Sequence, residues 1–337
     1  MTAPIPLVID TDTGSDVDDA LAITLALASP EVDLIGVTVV SGDVAWRARM
    51  VARILGMAGR ADIPIFRGVS HSRAQEQTPS MLGSEGVGLL DHPYDGPTAT
   101  IHDTPAPDWL IAESCRRPFH LAAIGPFSNV AVAVQRDPTF ASRLIHLSVM
   151  GGMVFPDHFG TAWRRYYDAS EFDLAAVDYN TASDAVAALT AARAGAPMTW
   201  VTVELTLRTP LTRQGLEAIE ATGSPLGAAL GRMGRSWSDH WFRQHPALPD
   251  APSPVPTDSV ACLHDPLAIA SIFPSDWLTL APHPLRYEID GELFRVTPTE
   301  DGAHDAVAAV SVAVDAPAFE RFFLERVVTF LGTIGSS

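Results

Sequence analysis

The sequence predicts an α/β fold, an open and mostly parallel central sheet with helices on both faces. Three observations predict it. Short β-branched runs alternate with helical stretches along most of the chain. Apolar residues make up 47% of 337 positions, enough for a large core. Polar residues gather just after the apolar runs, where an open parallel sheet binds its ligands.

The elements follow in order. Leu7–Ile9 is a strand, followed by a helix through Asp18–Ala28. Val32–Val40 is the second strand and Trp46–Ala58 the next helix; Ile63–Phe66 is a short strand. Pro107–Arg116 is helical, Phe119–Ile124 a strand and Phe127–Gln135 a helix. Leu144–Met150 is a strand that stops at Gly151-Gly152, and Ala182–Ala194 and Met198–Val203 form a further helix and strand. Leu211–Gln244 reads as two helices broken near Gly223-Ser224-Pro225. His245–Thr257 carries five prolines and is a loop. His264–Ile272 is helical, Ala308–Val314 alternates as a strand, and Phe319–Phe330 is a C-terminal helix. No repeat, low-complexity tail or long linker marks a boundary, so one catalytic domain over 1–337 is the simplest organisation.

Composition narrows the function. A net charge of −18 argues against nucleic acid and against an anionic membrane surface. No apolar run approaches the roughly 20 residues of a spanning helix. Met1–Pro6 lacks the features of a secretion signal, so a cytoplasmic location is expected. Cys115 and Cys262 form no short-spaced metal or redox motif, and each is expected to be a small buried apolar residue.

The most informative segment is residues 10–22. Asp10, Asp12, Asp16, Asp18 and Asp19 crowd into ten positions directly after a strand, and the chain turns through Gly14 into a helix. A hard divalent cation relieves the mutual repulsion of such carboxylates. Other strand ends are also polar: Ser41-Gly42-Asp43, Gly125-Pro126, Gly151-Gly152, then Asp178-Tyr179-Asn180 and His264-Asp265. Carboxylates, amides and one histidine suit a hydroxyl-rich, carbohydrate-like substrate.

Asp10-Thr11-Asp12-Thr13-Gly14 with Asp18-Asp19-Ala20 resembles the N-terminal signature of the inosine–uridine-preferring nucleoside hydrolases. Further similarities run the length of the chain: Val39–Asp43, Gly125–Asn129, Met150-Gly151-Gly152, Asp178–Asp184, His264–Ala268 and Val312–Val327. The resemblance implies hydrolysis of a ribonucleoside to ribose and free base with a bound Ca²⁺. It implies Asp12, Asp19, Asp265 and the carbonyl of Ile124 as metal ligands. Asp12 would activate the attacking water, with Asp18 or Asp16 as other candidates for the base. His264 would protonate or polarise the leaving base. Asn180, Asp178, Asp265 and Asp43 would hold ribose and Met150 would line it; Glu171 competes with Asp178 for its place. Trp237, His240 and Trp241 fall on one helix and fit either base stacking or core packing. Loops near 75–95 and 225–250 are expected to govern base choice. A nucleoside is the expected partner, and the resemblance also implies a homodimer or homotetramer.

Two other readings stand beside this one. Asp10-x-Asp12 after a strand also resembles haloacid-dehalogenase-type phosphatases, which need a later lysine; this chain has none. A homologue that binds sugar or nucleoside without catalysis would carry the same motifs. An EF-hand loop is excluded, because Ser15 and Leu21 stand where Gly and Glu are needed.

Overall fold

The structure is a computed structural model and describes residues 3–14, 16–72, 81–170, 176–300 and 302–335. Its first half alternates β1 (Ile5–Thr11), α1 (Asp18–Leu27), β2 (Val32–Val39), α2 (Val44–Met57), β3 (Ile65–Arg67), β4 (Ile101–His102), α3 (Ala106–Arg116), β5 (His120–Ala123), α4 (Ser128–Arg136), α5 (Phe140–Arg143) and β6 (His146–Met150). A 3-10 turn at Pro156–Phe159 precedes α6 (Thr161–Ser170), α7 (Tyr179–Ser183), α8 (Ala185–Ala192), β7 (Met198–Val201) and α9 (Val203–Thr206). Then come β8 (Pro210–Thr212), α10 (Arg213–Glu220), α11 (Pro225–Gln244), β9 (Ser259–Cys262), α12 (His264–Ala270), β10 (Leu278–Asp290), β11 (Leu293–Pro298), β12 (Ala306–Val314) and α13 (Ala316–Ile334).

Ten strands form one sheet in the order β11-β10-β12-β7-β6-β5-β1-β2-β3-β4. All pairings from β12 to β4 are parallel, and β10 and β11 extend that edge antiparallel. Strands buried on both faces need unbroken apolar runs. Leu7-Val8-Ile9 is such a run: Leu7 and Ile9 enter the core on one face and Val8 the core on the other. Strand β1 pairs with β2 on one side and β5 on the other. The chain therefore changes its direction of growth across the sheet at β1. The loops after β1 and β5 open a crevice there, where open α/β sheets hold ligands.

The breaks in the chain have local causes. Thr212 Oγ1 accepts from the Gly215 amide at 3.0 Å and starts α10, two residues later than the apolar pattern suggested. Gly223 turns the chain at φ +69°, and Ser224 caps α11 through the Gly227 amide at 3.0 Å. The helix expected from Ala182 starts instead at Ala185, because Asp184 caps it through the Ala187 amide at 3.0 Å.

Beside short elements such as β4, β8, β9 and α7, which the sequence reading did not give, three features differ from it. The hairpin of β10 and β11 was not expected, since Pro282 and Pro284 argue against a strand. Both prolines lie in the part of β10 that pairs only with β12, because β11 begins pairing at Leu285, so one side of that stretch needs no ladder donors. Helix α6 was also not expected; its Trp163, Tyr166 and Tyr167 are buried at helical spacing while Arg164 pairs with Asp168 at 3.0 Å on the outside. Cys115 is exposed on α3, whereas Cys262 is buried as expected.

Asp10 has a structural post. It is fully buried, and its Oδ1 accepts from Thr38 Oγ1 at 2.5 Å and Asn129 Nδ2 at 2.7 Å, tying β1 to β2 and α4. Burial pushes its carboxyl up to about 7. The unfolded chain ionises Asp near 3.9. Asp10 therefore contributes stability below about pH 4 that is lost as pH rises towards 7. Asp10→Asn keeps an acceptor for both donors. Urea denaturation should show the wild type losing ground to this variant as pH is raised from 4 to 7.5.

Candidate active site

A cavity of about 310 Å³ opens at the carboxyl ends of the central strands. Its size suits a single small molecule. Asp12, Asp16, Asp18, Asp19 and Asp265 line one end of it. Asp18, Asp19 and Asp265 are buried, and each offers a carboxylate oxygen within 4.8 Å of the others. Asp18 joins the two distant motifs: its Oδ1 accepts from the Asp19 amide at 3.1 Å and its Oδ2 from the Asp265 amide at 3.4 Å. Thr11 Oγ1 donates to Asp19 Oδ1. Burial, then repulsion from neighbouring carboxylates, raises Asp16, Asp18, Asp19 and Asp265 well above the usual carboxylate range. Asp12 is raised by burial and eased by Arg47. Hard oxygen donors in this state fit a divalent cation, which would remove both penalties.

The second wall comes from the loops after β5 and β6 and from α7. Asn180 Nδ2 donates to the carbonyls of Ile124 at 3.0 Å and Met150 at 3.1 Å, fixing the two strand ends together. A carbonyl oxygen has a second lone pair, so the Ile124 carbonyl keeps acceptor capacity. Asp178 caps α7 through the Asn180 amide at 3.2 Å, and its Oδ2 also takes the Gly152 amide at 2.6 Å and the Thr181 hydroxyl. Ile124, Met150, Asp178 and Asn180 all line the cavity.

The third wall is aromatic and carries the histidine. His264 begins α12, with Nδ1 2.6 Å from Thr206 Oγ1. Burial lowers its imidazole to about 4, so it is neutral at pH 7. Trp237 and Trp241, one turn apart on α11, reach the cavity together with Tyr167 and His245. Trp163 backs this wall, 6.2 Å from Trp241 and 5.8 Å from Tyr167 between ring centres. Trp237 Nε1 is buried and has no hydrogen-bond partner among the described residues.

Most residues singled out from the sequence meet at this cavity, and two do not. Asp43 is exposed and spends Oδ1 on the Ala45 and Trp46 amides at 3.1 and 2.9 Å, capping α2 outside the cavity. His240, three residues past Trp237, stacks on that ring at 5.2 Å and does not line the cavity. Asp10, the required nucleophile of the phosphatase reading, is sealed in the core and leaves that reading without its chemistry. Glu171 and residues 73–80 of the expected base-choice loops lie outside the described residues. The rest of those loops contributes Leu82 and Glu85 from one and the end of α11 from the other.

Sequence reasoning missed Arg47, Glu85, Tyr167, Tyr179 and His245 as lining groups. For Arg47 a signal was present. It falls on the same helical stripe as Val51 and Ile54, both buried, and a charge on a buried stripe asks for a partner.

Site and fold define an α/β protein with an acidic, aromatic-walled cavity for a small molecule at its strand ends. The family profile described as inosine-uridine preferring nucleoside hydrolase matches residues 7–321. The chain belongs to that family and is an N-ribosyl hydrolase of ribonucleosides. It is 26% identical to the probable uridine nucleosidase 2 of Arabidopsis thaliana over 96% of this chain and 97% of the relative. It is 24% identical to the pyrimidine-specific ribonucleoside hydrolase RihA of Citrobacter koseri, over 97% and 99%. Among solved structures, the purine-preferring ribonucleoside hydrolase from Gardnerella vaginalis superimposes with a TM-score of 0.79 at 25% identity, over 97% and 99%.

Carboxylates held this close oppose folding unless a cation is present. In excess chelator at pH 7, Asp265→Asn should melt above the wild type by calorimetry. Added Ca²⁺ should narrow or reverse the difference, because the wild type gains the bound ion.

Proposed function

We propose that this chain hydrolyses the N-glycosidic bond of a ribonucleoside with a Ca²⁺ ion held by Asp12, Asp19, Asp265 and the Ile124 carbonyl. The observation that carries this reading is the convergence of Asp18 and Asp265, 247 residues apart, on one cavity. When bound, the ion supplies Lewis acidity towards water and an anchor for the ribose 2′- and 3′-hydroxyls.

The residues divide the remaining work. Asp12 takes the proton from the attacking water. It is preferred to Asp18, whose two oxygens already accept the Asp19 and Asp265 amides. Asp16 is similarly engaged, with Oδ1 on the Val17 amide at 2.6 Å. Asp178 and Asn180 meet ribose hydroxyls and Met150 packs on the sugar. The acidic walls stabilise the positive charge that develops on the ring as the base leaves. His264 is neutral, so it works as a hydrogen-bond donor. The role needs the tautomer in which Thr206 Oγ1 is the donor to Nδ1, 2.6 Å away, so that Nε2 carries the proton for the leaving base. Trp237 and Trp241, which line the cavity, stack on the base.

A reducing-sugar assay on purine and pyrimidine ribonucleosides tests the reading. Ribose release that stops in chelator and returns with Ca²⁺ is expected. No release from any nucleoside would leave the binding-only homologue. Asp12→Ala and His264→Ala should each lose about 10²–10⁴-fold in kcat. Because His264 is held near 4, kcat/KM should show no histidine inflection between pH 6 and 7. The crowded carboxylates also repel phosphate, so a nucleoside 5′-monophosphate should react at least about tenfold more slowly than its nucleoside.

A further inference from the structure

Arg47 is a positive side chain set into this anionic cavity. It is 4% exposed. Nε donates to the Ser41 carbonyl at 2.8 Å, which fixes the guanidinium plane. Nη2 lies 3.7 Å from Asp12 Oδ2. Among the described residues neither terminal amino group makes a hydrogen bond; the Asp12 ion pair is their one polar contact. The surrounding backbone is cut away for the group. A Cβ on Gly14 would sit 2.3 Å from Nη1, so no larger residue fits there beside the guanidinium.

Such a charge has two effects on the acids it faces. Without a divalent ion it compensates Asp12, whose buried carboxyl its charge pulls back towards the ordinary range, and to a lesser extent Asp19. With one, it repels. A unit positive charge and a divalent cation about 5 Å apart repel enough, even at the dielectric of water, to weaken binding by roughly tenfold. Screening by salt is weak at a buried site.

We propose that Arg47 is a built-in counter-cation: it stabilises the cavity when no divalent ion is bound and holds the affinity for that ion down. Arg47 is thus a positioning residue for Asp12 that also tunes metal occupancy. The proposal rests on the acidic cluster being a cation site.

Titration calorimetry of the full-length wild type, Arg47→Met, Arg47→Gln and Arg47→Lys with Ca²⁺ alone tests it, beside thermal melts in chelator. The neutral variants should bind Ca²⁺ about tenfold more tightly than the wild type, and Arg47→Lys should stay within about threefold of it. In chelator the neutral variants should melt below Arg47→Lys, and saturating Ca²⁺ should shrink that gap. Neutral variants that bind Ca²⁺ no more tightly than the wild type overturn the proposal and leave the cation site standing. Neutral variants too unstable to titrate even in saturating Ca²⁺ also overturn it, because a mere counter-charge is replaceable by the ion. A wild type that binds no Ca²⁺ overturns both the site reading and the proposal.

Discussion

Mutual repulsion among carboxylates is the constraint around which this protein is arranged. Asp12, Asp16, Asp18, Asp19 and Asp265 all resist ionisation where they stand, chiefly through burial and then, in all but Asp12, through one another. They stay together because the backbone around them is fixed by stronger means. Asp18 pins the start of α12 to the start of α1, and α1 packs directly on α12. The sheet beneath supplies the rigidity, with Leu7, Val8 and Ile9 locked in cores on both faces. A site that opposes its own folding is then ready for the charge that chemistry will bring.

The acidic residues are not all of one kind. Asp10, Asp178, Asp184 and Glu204 are buried too, yet each is occupied by hydrogen bonds from amides, hydroxyls or a side-chain amide. They act as internal staples that hold loops at the strand ends. Asp12 and Asp265 make far fewer such bonds and face the cavity. The opposite wall follows another logic. Tyr167 and Trp241 present ring surface to the cavity, with Trp163 stacked behind both.

Much of the fold could be read from the chain because its signals are local. Continuous apolar runs mark strands buried on both faces, and Gly223-Ser224-Pro225 punctuates α10 and α11 where the helices do part. The site was legible through residues clustered in sequence, such as Asp18-Asp19 and His264-Asp265. What escaped depended on partners far away. Pro282 and Pro284 look unlike strand until the one-sided pairing of their segment is known. Arg47 shows in sequence only as a charge on a buried stripe; its partner Asp12 is known once α2 is placed beside the cavity. Asp43 was credited from its strand-end position and the family resemblance, and His240 from sharing a helix with Trp237 and Trp241. A helix cap in one case and a sideways turn on α11 in the other remove them from the cavity.

The 247-residue gap between Asp18 and Asp265 sets an order of events in the life of the molecule. During synthesis the first acidic motif leaves the ribosome long before the segment that completes its cage. Until α12 docks, a nascent or clipped chain carries acids and hydroxyl-binding groups with no closed site to join them. Any fragment ending before residue 264 should therefore be inert towards nucleosides. In this architecture the acidic end of the cavity closes only once α12 is in place.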